Sequence, residues 1–110
     1  MFPTDRYAVV TISFYRAVDR FPDIEGALVP GGYLFAEHHL RSTDPTPVGS
    51  GDRCRFAANE LLHASLNMTV LYYDETTGER DDGRQHATAR ILARKTSGLR
   101  QSYPRAPGDR

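Results

Sequence analysis

The stretch Leu28-Val29-Pro30-Gly31-Gly32-Tyr33-Leu34-Phe35-Ala36-Glu37-His38-His39 decides how the rest of the chain is interpreted. Proline cannot continue a helix and paired glycines supply the positive φ of a helix exit, so we expect a helix to stop and the chain to turn at Pro30-Gly31-Gly32. Residues 33–36 are apolar without polar alternation, which is typical of a strand covered on both faces in a parallel sheet. Ligands bind beyond the carboxyl ends of such strands, where residues 37–39 would lie.

A strand and a short helix are predicted before this stretch. Residues 7–15 are rich in β-branched and aromatic side chains and predict a strand with both faces buried. Asp19 can cap the helix, and Pro22 fits its first turn. The apolar residues of the helix share one buried stripe, namely Phe21, Ile24 and Leu28. Strand, helix and strand with short links form a βαβ unit, so we expect a parallel pair of strands.

The remainder of the chain predicts one more helix and two more strands. Prolines and glycines mark a long loop, and a charged turn separates two apolar runs that can close as a hairpin. We expect a loop at residues 41–55, a helix at 56–65 and a strand at 68–74. A turn at 75–86, a strand at 87–95 and a disordered tail at 96–110 should follow. The folded domain is therefore predicted at residues 1–95.

Composition excludes several functional classes. The chain has 110 residues, and its 14 basic and 14 acidic residues cancel, so nothing global attracts it to nucleic acid or to a membrane surface. No stretch approaches the length of a membrane span, and residues 1–6 do not read as a secretory signal. The single cysteine, Cys54, cannot form an internal disulfide. We expect a soluble cytoplasmic protein.

The order of elements resembles the second half of a class I S-adenosylmethionine-dependent methyltransferase, in particular the small methyltransferases of the tellurite-resistance type. The resemblance covers residues 7–95 and rests on three matches. These are the strand 7–15 running into Arg16, the segment 27–34 followed by Glu37, and Asn59-Glu60-Leu61-Leu62 before the runs 70–74 and 89–95. It implies an α/β fold: a partial Rossmann-like sheet with two parallel strands and a carboxyl-terminal antiparallel hairpin, with helices packed on the sheet.

The resemblance also implies a missing part. In that family the cofactor is held mainly by the first half of the fold, through a glycine-rich loop after one strand and an acidic residue after the next. No Gly-x-Gly pattern follows a strand here, and Ala8 stands where the family commonly has an acidic residue. We therefore expect a fragment or truncated product, or a half-fold put to another use.

A half-fold would leave the strand 7–15 as an exposed apolar edge. Such an edge is a template for pairing with another chain. We expect either a homodimer or docking of a separate amino-terminal half along this strand.

The strongest candidate for a reactive site in the sequence is the cluster Glu37, His38 and His39. A histidine titrates near working pH and could act as a general base toward a methyl acceptor, so Glu37 and His38 are candidate catalytic residues and His39 a candidate substrate contact. Successive strand residues face opposite ways, so Glu37 and His38 are not expected to share a pocket. The competing interpretation is a polar strand end that hydrogen bonds to loops. A metal site built on these residues is a weaker hypothesis, because the side chains of adjacent histidines on a strand point apart. In addition, neither Cys54 nor His63 completes a ligand motif.

By the resemblance, the end of the strand 7–15 lies at the cofactor and at the mouth of the substrate site. Ser13 and Phe14 are expected to touch S-adenosylmethionine. Tyr15 and Arg16 are expected to bind the acceptor at the substrate mouth, beside the methylsulfonium, an electron-poor centre that an aromatic face can attract. The plain alternative is a helix entry with Arg16 in solvent. Glu60 is expected to cap the second helix.

The leading hypothesis is methyl transfer from S-adenosylmethionine to a small molecule, completed by an amino-terminal half. The alternative is a non-enzymatic oligomerisation or interaction module that uses the apolar edge strand. These two hypotheses differ in whether the isolated chain binds the cofactor or only another polypeptide.

Overall fold

The computed structural model describes residues 4–13, 18–41, 55–79, 85–101, 103 and 105. Within these ranges the strands are β1 (Tyr7–Ser13), β2 (Leu28–His39), β3 (Thr69–Glu79) and β4 (Gln85–Arg94). The helices are α1 (Phe21–Ala27), which follows a 3-10 turn at Val18–Arg20, and α2 (Glu60–Ala64). Phe14 and Tyr15, the end of the predicted first strand, lie outside the described residues, as does Arg16. Residues 42–54 of the predicted loop at 41–55 also lie outside them.

The strands form one sheet in the order β1-β2-β4-β3. β1 pairs with β2 in parallel, and β4 runs antiparallel to both of its neighbours. The parallel pair is connected through α1, as a βαβ unit requires. The predicted fold class, two parallel strands plus an antiparallel hairpin with helices packed on the sheet, is confirmed.

The Pro30-Gly31-Gly32 segment does not end the helix, contrary to the prediction. α1 ends at Ala27, and Leu28 is already extended with φ −75° and ψ 142°. The segment instead lies inside β2, next to a register shift between Tyr7 and Val9 of β1. Gly31 has φ +81°, so the positive φ expected of a glycine here serves an irregularity of the strand rather than a helix exit.

The start of α1 also differs from the prediction. Arg20, not Asp19, occupies the N-cap, and no side chain caps the helix, while Pro22 lies in the first turn as expected. Phe21 and Ile24 are buried. The buried stripe is therefore confirmed for Phe21 and Ile24. Leu28, its third predicted member, is buried as well but belongs to β2 and not to the helix.

The second helix is shorter than predicted, because residues 56–59 are not helical. Phe56 forms a parallel bridge with Leu40 instead of starting a helix. Asn59 has φ +63°, which no α-helical residue adopts, so α2 begins only at Glu60. Leu61 faces the core, as expected.

The hairpin strands are longer than predicted. β3 continues to Glu79 and β4 begins at Gln85, so much of the predicted turn at 75–86 is strand. Ladder pairing overrides the polar composition here, since Thr76 pairs with Thr88 and Gly78 with His86. The predicted tail is described only in part. In the described part, the Gln101 side chain accepts a hydrogen bond from the N–H of Ser97 and donates one to the carbonyl oxygen of Gly98. The disorder of the tail stays a prediction.

The hydrophobic core lies on one face of the sheet, under α1 and α2. Its largest fully buried apolar side chains are Leu28, Leu34, Leu61 and Ile91. Paired residues in a ladder share a face, so Val9, Thr11, Tyr33 and Phe35 lie on the opposite side, which we call the open face. Tyr73 packs against the core and Tyr72 is 51% exposed, which confirms that these neighbours alternate between the two faces.

The expectation that both faces of the first strand are buried is wrong. Most of β1 is exposed, and Val9 is 58% exposed, because β1 is the outer strand and helices cover only one face of the sheet. The other expectation, an exposed apolar edge, matches this exposure. Across the described ranges, no helix is both long enough and apolar enough to cross a lipid bilayer.

Candidate functional site

The carboxyl ends of β1 and β2 meet at the same edge of the sheet. Ser13, the last residue of β1, pairs with Glu37 of β2. Both side chains belong to the open face, and Ser13 is exposed. The structure therefore brings together the predicted cofactor contact Ser13 and the predicted catalytic residue Glu37. Phe14, Tyr15 and Arg16, which follow Ser13, are outside the described residues, and their assignments stay predictions.

The alternation of β2 separates the three candidate residues after Ala36. His38 is 7% exposed and lies on the core face, where its ring meets Phe56 edge-on with centroids 5.5 Å apart. Glu37 and His39 lie on the open face and are half-buried. As expected from the strand period, Glu37 and His38 do not face a common pocket.

His38 has a defined local role at the end of β2. Its Nδ1 accepts a hydrogen bond of 2.7 Å from the backbone N–H of His39. The two histidine rings are 5.8 Å apart and tilted by 56°. This geometry holds the strand end, and the assignment of His38 and His39 to catalysis and to substrate binding stays a prediction.

Two further charged side chains join Glu37 on the open face. Pairing of β2 with β4 and of β4 with β3 places Arg90 beside Glu37 and Asp74 beside Arg90. Arg90 Nε lies 3.4 Å from Glu37 Oε2, with Arg90 46% and Glu37 20% exposed. The result is a polar row across all four strands, Ser13–Glu37–Arg90–Asp74. Sequence reasoning missed Arg90 and Asp74, because the pairing of β4 between β2 and β3 cannot be read from the period of either strand.

Two tyrosines bind carboxylates two residues further along β3. On the open face Tyr72 donates its hydroxyl hydrogen bond to Asp74, and this bond raises the pKa of Tyr72. On the core face Tyr73 donates to Glu75, and burial together with this bond raises the pKa of the Tyr73 phenol well above its usual range. Both phenols therefore stay protonated donors at neutral pH.

The start of α2 is tied to β3 through Glu75. Glu75 Oε2 also accepts a hydrogen bond of 2.5 Å from the backbone N–H of Asn59. Glu60 Oε1 accepts one of 2.9 Å from the N–H of Ala57, which precedes the N-cap residue Asn59. Glu60 thus holds the turn before α2, and the predicted cap is wrong, because no side chain caps this helix. These contacts are structural, and they place α2 on the core face, away from Ser13 and Glu37.

No metal-binding arrangement is found in the part of the chain that the structure describes. There, no group of three or more His, Cys, Asp or Glu side chains converges as ligands would. Glu37 instead pairs with Arg90, and His38 points to the other face. Cys54 lies outside the described residues.

Ser13 and Glu37 lie at a position where an open α/β sheet can bind a ligand. Ser13 offers a hydroxyl and Glu37 a carboxylate at neighbouring carboxyl ends. The described ranges contain no glycine-rich loop between a strand and a helix that could cradle the rest of such a ligand.

The chain has a mixed α/β sheet of the methyltransferase type, and solved structures with this fold match it. TehB from Haemophilus influenzae is similar with a TM-score of 0.67 and 21% identity, over 83% of this chain and 36% of TehB. A SAM-dependent methyltransferase from Methanosarcina mazei is similar with a TM-score of 0.64 and 13% identity, over 86% of this chain and 62% of the other. The [4+2]-cyclase SpnF is similar with a TM-score of 0.63 and 12% identity, over 88% and 52%.

These similarities establish the fold. The chain spans between 36% and 62% of the length of the three structures. One of them is a cyclase, so the fold alone does not define the reaction. No protein-family model and no curated protein matches the sequence.

Proposed function

We propose that this chain is the carboxyl-terminal part of an S-adenosylmethionine-dependent methyltransferase that acts on a small molecule. The observation that carries the proposal is the sheet itself. This sheet has the order β1-β2-β4-β3, a parallel pair followed by an antiparallel hairpin. The structure is similar to TehB over 83% of the chain and to a SAM-dependent methyltransferase from Methanosarcina mazei over 86%. Among such enzymes we propose the tellurite-resistance type, which the similarity to TehB at 21% identity supports.

In this proposal the cofactor lies against the carboxyl ends of β1 and β2. Ser13 and Phe14 contact it, while Glu37 orients the acceptor or the cofactor through its carboxylate. When bound, S-adenosylmethionine supplies an electrophilic methyl group. Transfer to an acceptor that is already nucleophilic requires positioning more than acid or base chemistry. Glu37 is favoured over His38 for contact with the bound molecules, because Glu37 shares the open face with Ser13.

The remaining cofactor contacts would come from a cofactor-binding half, since the described residues provide one wall only. Tyr15, Arg16 and His39 would bind the acceptor beside that wall. The unpaired side of β1 is the available edge for such a half, because β1 is the outer strand of the sheet. In this proposal the enzyme acts in the cytoplasm, and its 14 basic and 14 acidic residues give no global attraction to a membrane surface.

Binding of S-adenosylhomocysteine to the 110-residue chain, followed by NMR amide shifts, tests the proposal without requiring activity. We expect weak binding, with a dissociation constant above about 100 μM, because most contacts are missing. The shifts should be confined to the carboxyl ends of β1 and β2, near Ser13 and Glu37. The same titration with Ser13→Ala should weaken binding, and Thr69→Ala, at the opposite end of the sheet, is the matched control. Shifts centred on Leu28 and Lys95, or no shift at millimolar ligand, would contradict the proposal.

A further inference from the structure

The two outer strands of the sheet have very different edges. From Tyr7 to Ser13, β1 carries no charged residue, and its register shift is confined to its first pairs, so the edge is regular from Val9 onward. β3, at the other side, carries the carboxylates Asp74, Glu75 and Glu79. Proteins protect outer strands with charges, prolines or bulges. The edge of β3 is protected in this way, and the edge of β1 is not.

An apolar cavity lies beside the unprotected edge. It measures about 300 Å³ and is lined by Tyr7, Val9, Val10, Ile24 and Ala27, from β1 and α1. Val9 is 58% and Tyr7 45% exposed. Among the described residues, β1 is paired on one side only. A strand edge of this kind next to an apolar cavity is the arrangement by which an added strand binds, since main-chain hydrogen bonds give affinity and the cavity accepts a side chain.

We propose that β1 pairs antiparallel with β1 of a second copy of this chain, about a two-fold axis at Val10. A two-fold axis brings identical patches together, and Val10 is the middle residue of β1. The register then pairs Val9 with Thr11 of the second copy, and Ala8 with Ile12 of the second copy. Such a register keeps the helix-covered faces of both sheets on the same side. A slip of one residue would place the helix-covered face of one copy on the side of the open face of the other.

Self-complementarity argues for a second copy as the occupant. Each copy provides both the apolar strand and the cavity, and Ile12 of the second copy lies opposite the small Ala8 and beside the cavity. No like charges meet between Tyr7 and Ser13, because this edge has none. The assembly closes at two copies, since the remaining outer strands are the charged β3 edges.

This dimer does not depend on the proposed methyltransferase function. It uses the same edge that a cofactor-binding half would use, so the two assemblies exclude each other. The chain on its own is dimeric, and docking of such a half would convert it to a one-to-one complex.

Sedimentation velocity of the full 110-residue chain over a range of concentrations tests the proposal. We expect a dimer, and Val9→Lys should raise its dissociation constant by about tenfold or more, because a lysine at an exposed strand edge opposes pairing. Val9→Lys combined with Thr11→Glu should restore the dimer, since the register places these two positions opposite each other. Tyr72→Lys is the matched control, because Tyr72 is similarly exposed, at 51%, on the charged edge strand.

A covalent test fixes the register independently. In a Cys54→Ser background, Val10→Cys should form a disulfide-linked dimer on mild oxidation, and Ile12→Cys should not, because only position 10 lies on the axis. A monomer at all concentrations, a dimer that tolerates Val9→Lys in chains with an unchanged circular dichroism spectrum, or larger assemblies would overturn the proposal. Failure of the double variant to restore the dimer would overturn the register.

Discussion

Arg94 of β4 donates a hydrogen bond of 2.9 Å from Nε to the carbonyl oxygen of Gly31 in β2. Its guanidinium carbon lies 5.4 Å from the centre of the Tyr33 ring, within cation–π range. Next to it, Lys95 Nζ donates to the carbonyl of Leu28 at 2.8 Å. Two consecutive cations at the end of β4 thus hold the irregular start of β2, on which the position of β1 depends.

Gly31→Ala should destabilise the protein by about 1–2 kcal/mol, because an L-residue at φ +81° is strained and its Cβ would lie 3.1 Å from a terminal nitrogen of Arg94. Urea denaturation measures the change. Gly26→Ala is the control, since a Cβ there meets nothing within 4 Å and alanine favours the helix by about 0.5–1 kcal/mol. Equal effects of the two substitutions would contradict this account of Gly31.

Gly32→Ala should separate β1 from β2. A Cβ at this position would lie 2.9 Å from the carbonyl oxygen of Val29, 3.0 Å from that of Ala8 and 3.1 Å from that of Tyr7, all of them backbone atoms that cannot rotate away. We expect a loss of about 2 kcal/mol or more. Hydrogen exchange should show reduced protection in β1 and unchanged protection in the β3–β4 hairpin. Unchanged protection of β1 would rule out the close approach as the reason for this glycine.

Leu34→Ala should remove about 2–5 kcal/mol of stability, because Leu34 is 0% exposed under the helices and its loss leaves a cavity. Leu66→Ala makes the same chemical change at a side chain that is 61% exposed, and it should cost less than about 0.5 kcal/mol. Thermal and urea unfolding give both values. A small effect at Leu34 would mean that the face under α1 and α2 is not the core.

Stability should fall as the pH rises above about 10, the ordinary pKa of tyrosine, in part because of Tyr73. Burial and the bond to Glu75 raise the pKa of Tyr73 in the folded state, so the folded chain retains a proton that the unfolded chain releases. This contribution is complete below the unfolded pKa and declines above it. Tyr73→Phe should lose less stability than the parent between about pH 9 and about pH 11, as followed by urea denaturation. The same alkaline loss in both proteins would exclude Tyr73 as its source.

The Glu37–Arg90 pair should add little to stability. Their atoms are 3.4 Å apart and Arg90 is 46% exposed, so a double-mutant cycle with Glu37→Gln and Arg90→Gln should give a coupling of about 0.2–1 kcal/mol. The coupling should decrease in high salt, because surface charges are screened. A large, salt-insensitive coupling would show instead that this polar row is a structural core rather than an accessible part of the site.

The elements of the sheet were largely predictable from sequence, and their boundaries were less so. β1, β2, β3 and β4 follow from β-branched and aromatic runs. The helix end was misplaced because Pro30-Gly31-Gly32 has the composition of a turn, whereas tertiary contacts from Arg94 and Lys95 hold it as strand. Phe56 is wrongly predicted as helical, because its bridge to Leu40 pairs residues 16 positions apart, which a local pattern does not reveal.

The candidate site was predictable only in part. The sequence of β2 alone predicts Glu37, His38 and His39 as candidates. Because side chains alternate along a strand, it also predicts that Glu37 and His38 lie on opposite faces. Arg90 and Asp74 could not be nominated, because they reach Glu37 through the pairing of β4 between β2 and β3.

By itself the sequence determined which segments become strands, the βαβ order and the alternation of faces, since these depend on residues close together in the chain. Tertiary structure alone decided that β4 separates β2 from β3, that the core lies on one face, and that β1 is an uncharged outer edge beside a cavity. Those features depend on contacts between distant residues, whose pairing free energy exceeds the local preference of any single segment.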